Sequence, residues 1–484
     1  MSNNTALSED PAAIAPLVLP GAVAKFMEKQ GIAYSLCHSH AGIQAENSQF
    51  KDDIPPAQTV HLVVLQDSLG KVQLLIGQEQ LLDLSQLCEL MGRNLQGISL
   101  EDAKALQAQQ DADPEAGFAS IPLSSIPDYW VDQHLLELDT LYLNSGLPHV
   151  FIQVSKDEAS KLIQTSNISQ FCHNTAELNH RAKSEPGEQQ ISQAVSQFTT
   201  YRIKQRLDQT IEIPPLPDTA ERIIKLRVDP NASIHDLSKV VETDPSLAAQ
   251  VVSWASSPFY GAPGGIASVQ DAVIRVLGFD LVINLALGLA LGKALRLPMD
   301  GPKGVTPYWQ QAVYNATMMQ NLVQQMDCDN KPSPGLAYLS GLLHNFGYLV
   351  LNFVFPPHFS LISRYIEANP HVSHHIIEQH VLGVTREQIS AWLMSVWQMP
   401  EQVLVALRWQ MFPEYDGKHC EYSRLLFLSN QLLNSNGLGS DSNGRIPSEL
   451  YNTMHLDPAK VAASVQHIIS HGDELSEIAN ILGD

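Results

Sequence analysis

Four histidines crowd into the run HVSHHIIEQH, at His371, His374, His375 and His380. Imidazoles at this density, some of them spaced i and i+4, are the residue type that captures transition metals. With no carboxylate or cysteine to complete a ligand set, the run is expected to be a partly solvated helix start. His38, His40 and His61 could act as general bases, but no Ser, Cys and Asp arrangement around them supports a triad, so they read as core or surface histidines. Five cysteines, Cys37, Cys88, Cys172, Cys328 and Cys420, stand far apart without a C-x-x-C pair. That spacing fits reduced thiols and a cytoplasmic compartment better than a zinc site or a disulfide framework.

Charge narrows the partners. The chain carries 29 Lys and Arg against 51 Asp and Glu, a net charge of −22. Such a surface repels phosphate backbones and anionic membranes, because nonspecific nucleic-acid affinity comes from cations that displace counterions. Residues 1–170 alone hold 8 Lys and Arg against 21 Asp and Glu, so even a tRNA would meet repulsion there. Hydrophobic residues at 44% and charged residues at 17% mark a folded chain, and 484 residues suggest two or three domains, with two as the working number.

The elements that must position any chemistry change character along the chain. Residues 1–20 are acidic and proline-rich where a secretory signal needs a basic start and an apolar run, so they read as a flexible leader. From 21 to 170, short helices mix with strand-like runs: Val60 to Asp67, Lys71 to Gly77 and His149 to Ser155. Ser68 and Gly70 make the first two a plausible hairpin. Residues 171–200 are polar, contain Pro186 and Gly187, and read as a linker that is partly helical.

After Tyr201 only helix signals remain. Ser233-x-x-Asp236 and Ser268-x-x-Asp271 resemble capping boxes, Asp244-Pro245 marks a helix start, and Gly278 a helix end. Leu281 to Leu297 is apolar but contains Asn284, Lys293 and Arg296 and falls short of the ~20 residues a bilayer needs, so it is expected to be a buried helix. The expected fold is multidomain, an α/β mixed sheet with helices followed by an all-α domain over 201–484 that includes a C-terminal helical extension.

The segments IPPLPDTAERIIKL (from Ile213), LSKVVETDPSLAAQVVSWASSPFYG (from Leu237) and SVQDAVIRVLG (from Ser268) closely resemble the opening of the HDOD domain. That family is similar in fold to HD-type phosphohydrolases, in which His and Asp side chains on facing helices hold metals that activate water. The resemblance implies a His position after Trp309, a His-Asp pair on a later helix and a late Asp. Here those positions read Gln311, His344-Asn345 and Asn430, and two further His positions read Arg386 and either Trp409 or Gln410. Neutral amides bind a divalent cation far more weakly than carboxylates, so no metal and no cofactor are expected, His344 reads as a core histidine, and Arg386 adds positive charge.

The first domain resembles the YbaK/prolyl-tRNA-editing family of aminoacyl-tRNA deacylases through FMEKQGIAYSLCHSH, AQTVHLVVLQDSLGKVQLLI, LLDLSQLCELMG and SIPLSSIPDYWVDQHLLELDTLYLNSG, with Asp132, Leu136, Asp139, Tyr142 and Gly146 fitting the late pattern. The resemblance implies a pocket near Gln58, Thr59, Gly117 and Pro122. Gln58 stands where editing enzymes use Lys, and Leu123 where a second Pro is common, which weakens the expected deacylation.

Both halves thus lack their families' charged chemistry. The sequence points to a bacterial regulatory protein in which a metal-less HDOD domain is a protein-interaction or output module and the deacylase-like domain senses or docks, with a small aminoacyl ligand conceivable. The alternatives are an aminoacyl-tRNA deacylase regulated by the HDOD domain and, third, a nucleotide-responsive phosphodiesterase using a relict site.

Overall fold

The computed structural model describes residues 19–38, 54–98, 129–147, 150–163, 166–184, 216–260, 265–293, 306–354, 356–439 and 446–483, with positions 102, 105, 106, 108, 295 and 441. They form two compact units divided between His173 and Asn174, with Ala368–Pro370 grouped with the first.

The first unit is a mixed sheet with helices. Its elements are α1 (Gly21–Gln30), β1 (Ser35–His38), β2 (Thr59–Asp67), β3 (Gly70–Gly77), β4 (Gln80–Leu82), α2 (Leu84–Met91), β5 (Gln96–Gly97), β6 (Tyr129–Asp132), β7 (Thr140–Asn144), β8 (Val150–Ser155), α3 (Lys156–Ile163), β9 (Asn167–Ser169) and β10 (Cys172–Asn174). The main sheet runs β1-β8-β7-β2-β3-β6-β9, with β5 beside β2. β2 pairs antiparallel with β3 and parallel with β7, and β6 pairs parallel with β3 and β9.

The β2–β3 hairpin is the one its sequence suggests, in register from Val60↔Gly77 to Asp67↔Gly70. Gly70 turns the chain at φ 131, which side chains rarely allow. Asp67 accepts from Leu69 N at 2.8 Å and from Arg93 at 2.6 Å. The Arg93 hydrogen bonds hold the Asp67 carboxyl down to about 2. Val60, Leu62 and Val64 alternate onto the face that packs with Val23 and Met27 of α1. Asp132, buried at the end of β6, accepts from His134 N and from Phe171 N, both at 3.0 Å, which ties two connections of the sheet together.

The second unit is built of helices: α4 (Thr175–Lys183), α5 (Asp218–Arg227), α6 (Ile234–Glu242), α7 (Pro245–Ser256), α8 (Val269–Ala272), α9 (Phe279–Gly292), α10 (Tyr308–Gln325), α11 (Pro334–Leu343), α12 (Phe346–Val354), α13 (Pro356–Ala368), α14 (His374–Leu382), α15 (Arg386–Val396), α16 (Glu401–Trp409), α17 (Cys420–Ser435), α18 (Ser448–Thr453), α19 (Pro458–Ser470) and α20 (Gly472–Gly483). Ser233 and Asp236 form a reciprocal capping box, Ser268 accepts from Asp271 N, and Asp244 caps α7 ahead of Pro245. Leu281 to Gly292 of α9 are all buried in the bundle. Among the described residues no helix is long and apolar enough to cross a membrane.

Part of the segment read as a linker is α4, whose last carbonyls are gripped within this unit. Arg408 Nη2 and Gln388 Nε2 both donate to Ala182 O at 3.1 Å. Residues 185–215 lie outside the described residues.

Candidate functional site

Six side chains singled out in the helical half come together. Gln311 and Asn315 stand one turn apart on α10, His344 caps α11 and Asn345 follows it, Arg386 opens α15, Gln410 caps α16, and Asn430 and Asn434 lie one turn apart on α17. All of them line one cavity of ≈ 40 Å³, with Glu387, Met411, Gln431, Gly439 and Asp441 completing the wall. At the ~30 Å³ a water occupies, that is room for about one water, far below the volume of ligand pockets.

Glycine lets the helices close this tightly. A Cβ on Gly341 would lie 2.7 Å from the Ala316 backbone, and one on Gly347 would collide with the Arg386 carbonyl oxygen. Thr385 and Gln388 form a capping box that fixes the start of α15 and so the position of Arg386.

The polar groups in the cavity are bonded to one another. His344, 8% exposed, donates from Nδ1 to Gly341 O at 2.8 Å, which leaves Nε2 to accept from Asn315 Nδ2 at 3.3 Å. Both ring nitrogens are therefore occupied. Ser429 Oγ donates to Asn315 Oδ1 at 2.7 Å. Asn345 donates to Gln311 Oε1 at 3.1 Å and accepts from Arg386 Nη1 at 3.0 Å. Gln410 donates to His344 O at 2.9 Å and accepts from Asn430 Nδ2 at 3.0 Å. Burial, with a smaller push from Arg386, brings His344 down to about 4 although its bond to Gly341 opposes the fall, so the ring is neutral.

Two expectations need correction. Arg386 brings a cation but no net positive charge: its Nε lies 2.8 Å from Glu378 Oε1 and 3.6 Å from Glu387 Oε1. Burial raises the Glu378 carboxyl while Arg386 opposes it, and Arg386, whose burial pulls it down, is held above its ordinary value by Glu378, Glu387 and Asp441 together. The run around His371 does hold a carboxylate, then, and it is spent on the arginine. Nor is that run solvated at its start. His374 and His375 are 5% and 6% exposed, and burial pushes His374 down to about 4 and His375 down as well. His375 Nε2 meets Asn179 Oδ1 at 3.0 Å and His374 N donates to Asp441 Oδ1 at 3.1 Å.

Of the two candidates for the last histidine position, Gln410 lines the cavity. Trp409 instead stacks on Tyr415 at 4.6 Å, with the Arg408 guanidinium 4.1 Å over its ring. Asn315, Glu378, Glu387, Ser429 and Asp441 were not legible as site residues. Their sole signal was helical spacing, since Asn315 lies four residues after Gln311.

A divalent ion does not fit this donor set. It offers one imidazole whose nitrogens are both engaged, amides bonded to each other, a guanidinium on the wall, and two lining carboxylates already engaged, Glu387 beside Arg386 and Asp441 accepting from His374 N.

In the first unit, Gln58 closes a 3-10 turn, its N–H donating to Pro55 O at 3.0 Å. Thr59, buried at the start of β2, donates its hydroxyl to Pro55 O at 3.1 Å. Gly117, Pro122 and His40 lie outside the described residues. His38 pairs with Val150 at the end of β1, and His61 Nε2 meets Gln78 Oε1 at 2.5 Å. Among these residues none forms a triad.

A family model described as the HDOD domain matches residues 213–413. The crystal structure of a protein from Marinobacter aquaeolei VT8, assigned by inference to signal transduction, is 38% identical, covers 96% of this chain and 100% of that one, and superposes with a TM-score of 0.83. The chain belongs to the HDOD family. A protein of Treponema pallidum (strain Nichols) is 24% identical over 207 residues, 42% of this chain, and the match spans 38% of that relative's length. A structure assigned by inference as a trans-editing enzyme for prolyl-tRNA synthetase is 17% identical, covers 34% of this chain and all of that one, and has a TM-score of 0.26, a likeness that carries no argument. Within the HDOD domain the cavity holds Gln311, His344, Asn345, Arg386 and Gln410, and Asn430 reaches it from the helix beyond residue 413.

Proposed function

We propose that this HDOD protein is a signalling component that works without hydrolysis, its helical unit serving as an interaction or output module. HDOD membership and the similar Marinobacter protein support the signalling role. The observation that carries the non-hydrolytic reading is His344 with both ring nitrogens engaged, inside a cavity that holds about one water. A hydrolase of the HD type would need free imidazole and carboxylate donors converging on an ion and an open position for water. Here amides stand at those positions, the carboxylates of Glu378 and Glu387 face a guanidinium, and Asp441 on the cavity wall accepts from His374 N.

The packed helices and the grooves between them then suit a protein partner. The sheet unit acts as the sensing or docking module, with a small aminoacyl compound as its ligand. Its acidic balance disfavours tRNA, and a cytoplasmic location fits the spaced thiols.

The test is a pair of assays on the full chain: phosphodiester turnover of bis(p-nitrophenyl) phosphate with added Mn, Fe, Zn or Mg, and deacylation of mischarged tRNA. No turnover above buffer is expected in either. Metal-dependent cleavage lost in H344A would overturn the reading, as would deacylation lost on substitution of Gln58 or Thr59.

A further inference from the structure

A second cavity in the helical unit shares no lining residue with the first. It measures ≈ 210 Å³ and is walled by Ile224, Arg227 and Val228 at the end of α5, by Leu287 of α9, and by Gln398 and Pro400 between α15 and α16. Four of those six side chains are apolar, and Arg227 supplies the cation. Val228, which lines the cavity and is 76% exposed, marks its mouth.

An unpartnered donor singles this place out. The Nε–H of Arg227 is buried yet meets no hydrogen-bond acceptor among the described residues. A buried donor without an acceptor weakens the fold unless something arrives to accept from it. The nearby Asp280 does not serve, because its carboxylate accepts from Ser333 Oγ at 3.1 Å, Gly335 N at 2.9 Å and Asn284 Nδ2 at 3.2 Å. Desolvation lowers the Arg227 pKa, with Asp280 and Tyr422 opposing from a distance. Gln398, at φ 56, is the left-handed residue that ends α15: its N–H donates to Ser395 O at 3.0 Å and Met399 N to Met394 O at 2.9 Å, which fixes this wall of the cavity.

We propose that this cavity binds a short aliphatic carboxylate, with the anion accepting from Arg227 and the hydrocarbon lying against Ile224, Leu287 and Pro400. A guanidinium presents paired donors that match the two oxygens of a carboxylate. A single cation between apolar walls fits a monoanion with a greasy tail better than a phosphate, which calls for many polar partners. At the ~30 Å³ that a water occupies, the space corresponds to about seven heavy atoms, the size of pentanoate. Nothing in this assignment depends on the first cavity or on whether the protein hydrolyses anything.

The experiment is a calorimetric titration of the full chain with pentanoate, alongside pentan-1-ol and pentylamine as isosteres without the anion. Saturable pentanoate binding is expected, weakened about tenfold or more for both isosteres and for R227Q, because charge-assisted hydrogen bonds are lost. V228W alters an exposed side chain and closes the mouth, so it should fold normally and lose the binding, which keeps the test decisive if R227Q fails to fold. The proposal is overturned if pentanoate does not saturate, if pentan-1-ol binds as well, or if V228W binds pentanoate unchanged.

Discussion

Replacing Arg386 by methionine keeps an unbranched side chain in place while deleting the cation, and so probes what holds the central cavity together. Arg386 is buried, with Glu378 Oε1 at 2.8 Å, Glu387 Oε1 at 3.6 Å and Asn345 Oδ1 at 3.0 Å. Removing one partner of a buried ion pair leaves an uncompensated charge and costs about 3–5 kcal/mol. The orphaned Asn345 oxygen adds about 1 kcal/mol. Burial already raises Glu378 against the pull of Arg386, so without the cation its carboxyl rises further. A carboxyl held above its unfolded value contributes stability at low pH that is lost as pH rises through the folded value. The R386M penalty should therefore be larger at mildly alkaline than at acidic pH, and E378Q in the same chain should recover a large part of it. Urea unfolding followed by tryptophan fluorescence reads this out, because every tryptophan but Trp130 lies in the helical unit. A loss below about 1 kcal/mol with no pH dependence would refute the idea that Arg386 neutralises a buried acidic pair.

Three further outcomes are expected. His344, held near 4 against an ordinary 6.5, should make the wild type lose up to about 3 kcal/mol as pH falls from the unfolded to the folded value, and H344Q should lack that share of the slope in unfolding measured across the same range. G347A drives a methyl into the Arg386 carbonyl and should cost about 1–3 kcal/mol in the same assay; an unchanged midpoint would mean the α12–α15 contact is looser than described. In the sheet unit, D132A strips acceptors from His134 N and Phe171 N and should cost about 1–3 kcal/mol, seen as faster exchange of those two amide protons.

Much of this was legible in the amino-acid order because local rules agreed with the fold. The β2–β3 hairpin follows from alternating apolar residues around Ser68 and Gly70, and the starts of α6 and α7 follow from Ser233, Asp236, Asp244 and Pro245. The HDOD resemblance singled out Gln311, His344, Asn345, Arg386 and Asn430, and these residues line one cavity. What escaped was set by tertiary burial. Nothing local says that His374 and His375 turn inward or that Glu378, eight residues ahead of Arg386, reaches back to its guanidinium. Asn315 and Ser429 read as ordinary helix residues until packing joins them at 2.7 Å.

The claim on which the account rests is that His344 is a neutral imidazole engaged at both nitrogens. Nuclear magnetic resonance of the full chain labelled with ¹⁵N-histidine observes this directly. The His344 ring should show the Nδ1–H tautomer, begin to protonate only near pH 4, and keep its shifts and line widths when Zn or Mn is added in excess. A ring that titrates near its ordinary value, or a signal moved by Zn or broadened by Mn at low concentration, would contradict the account.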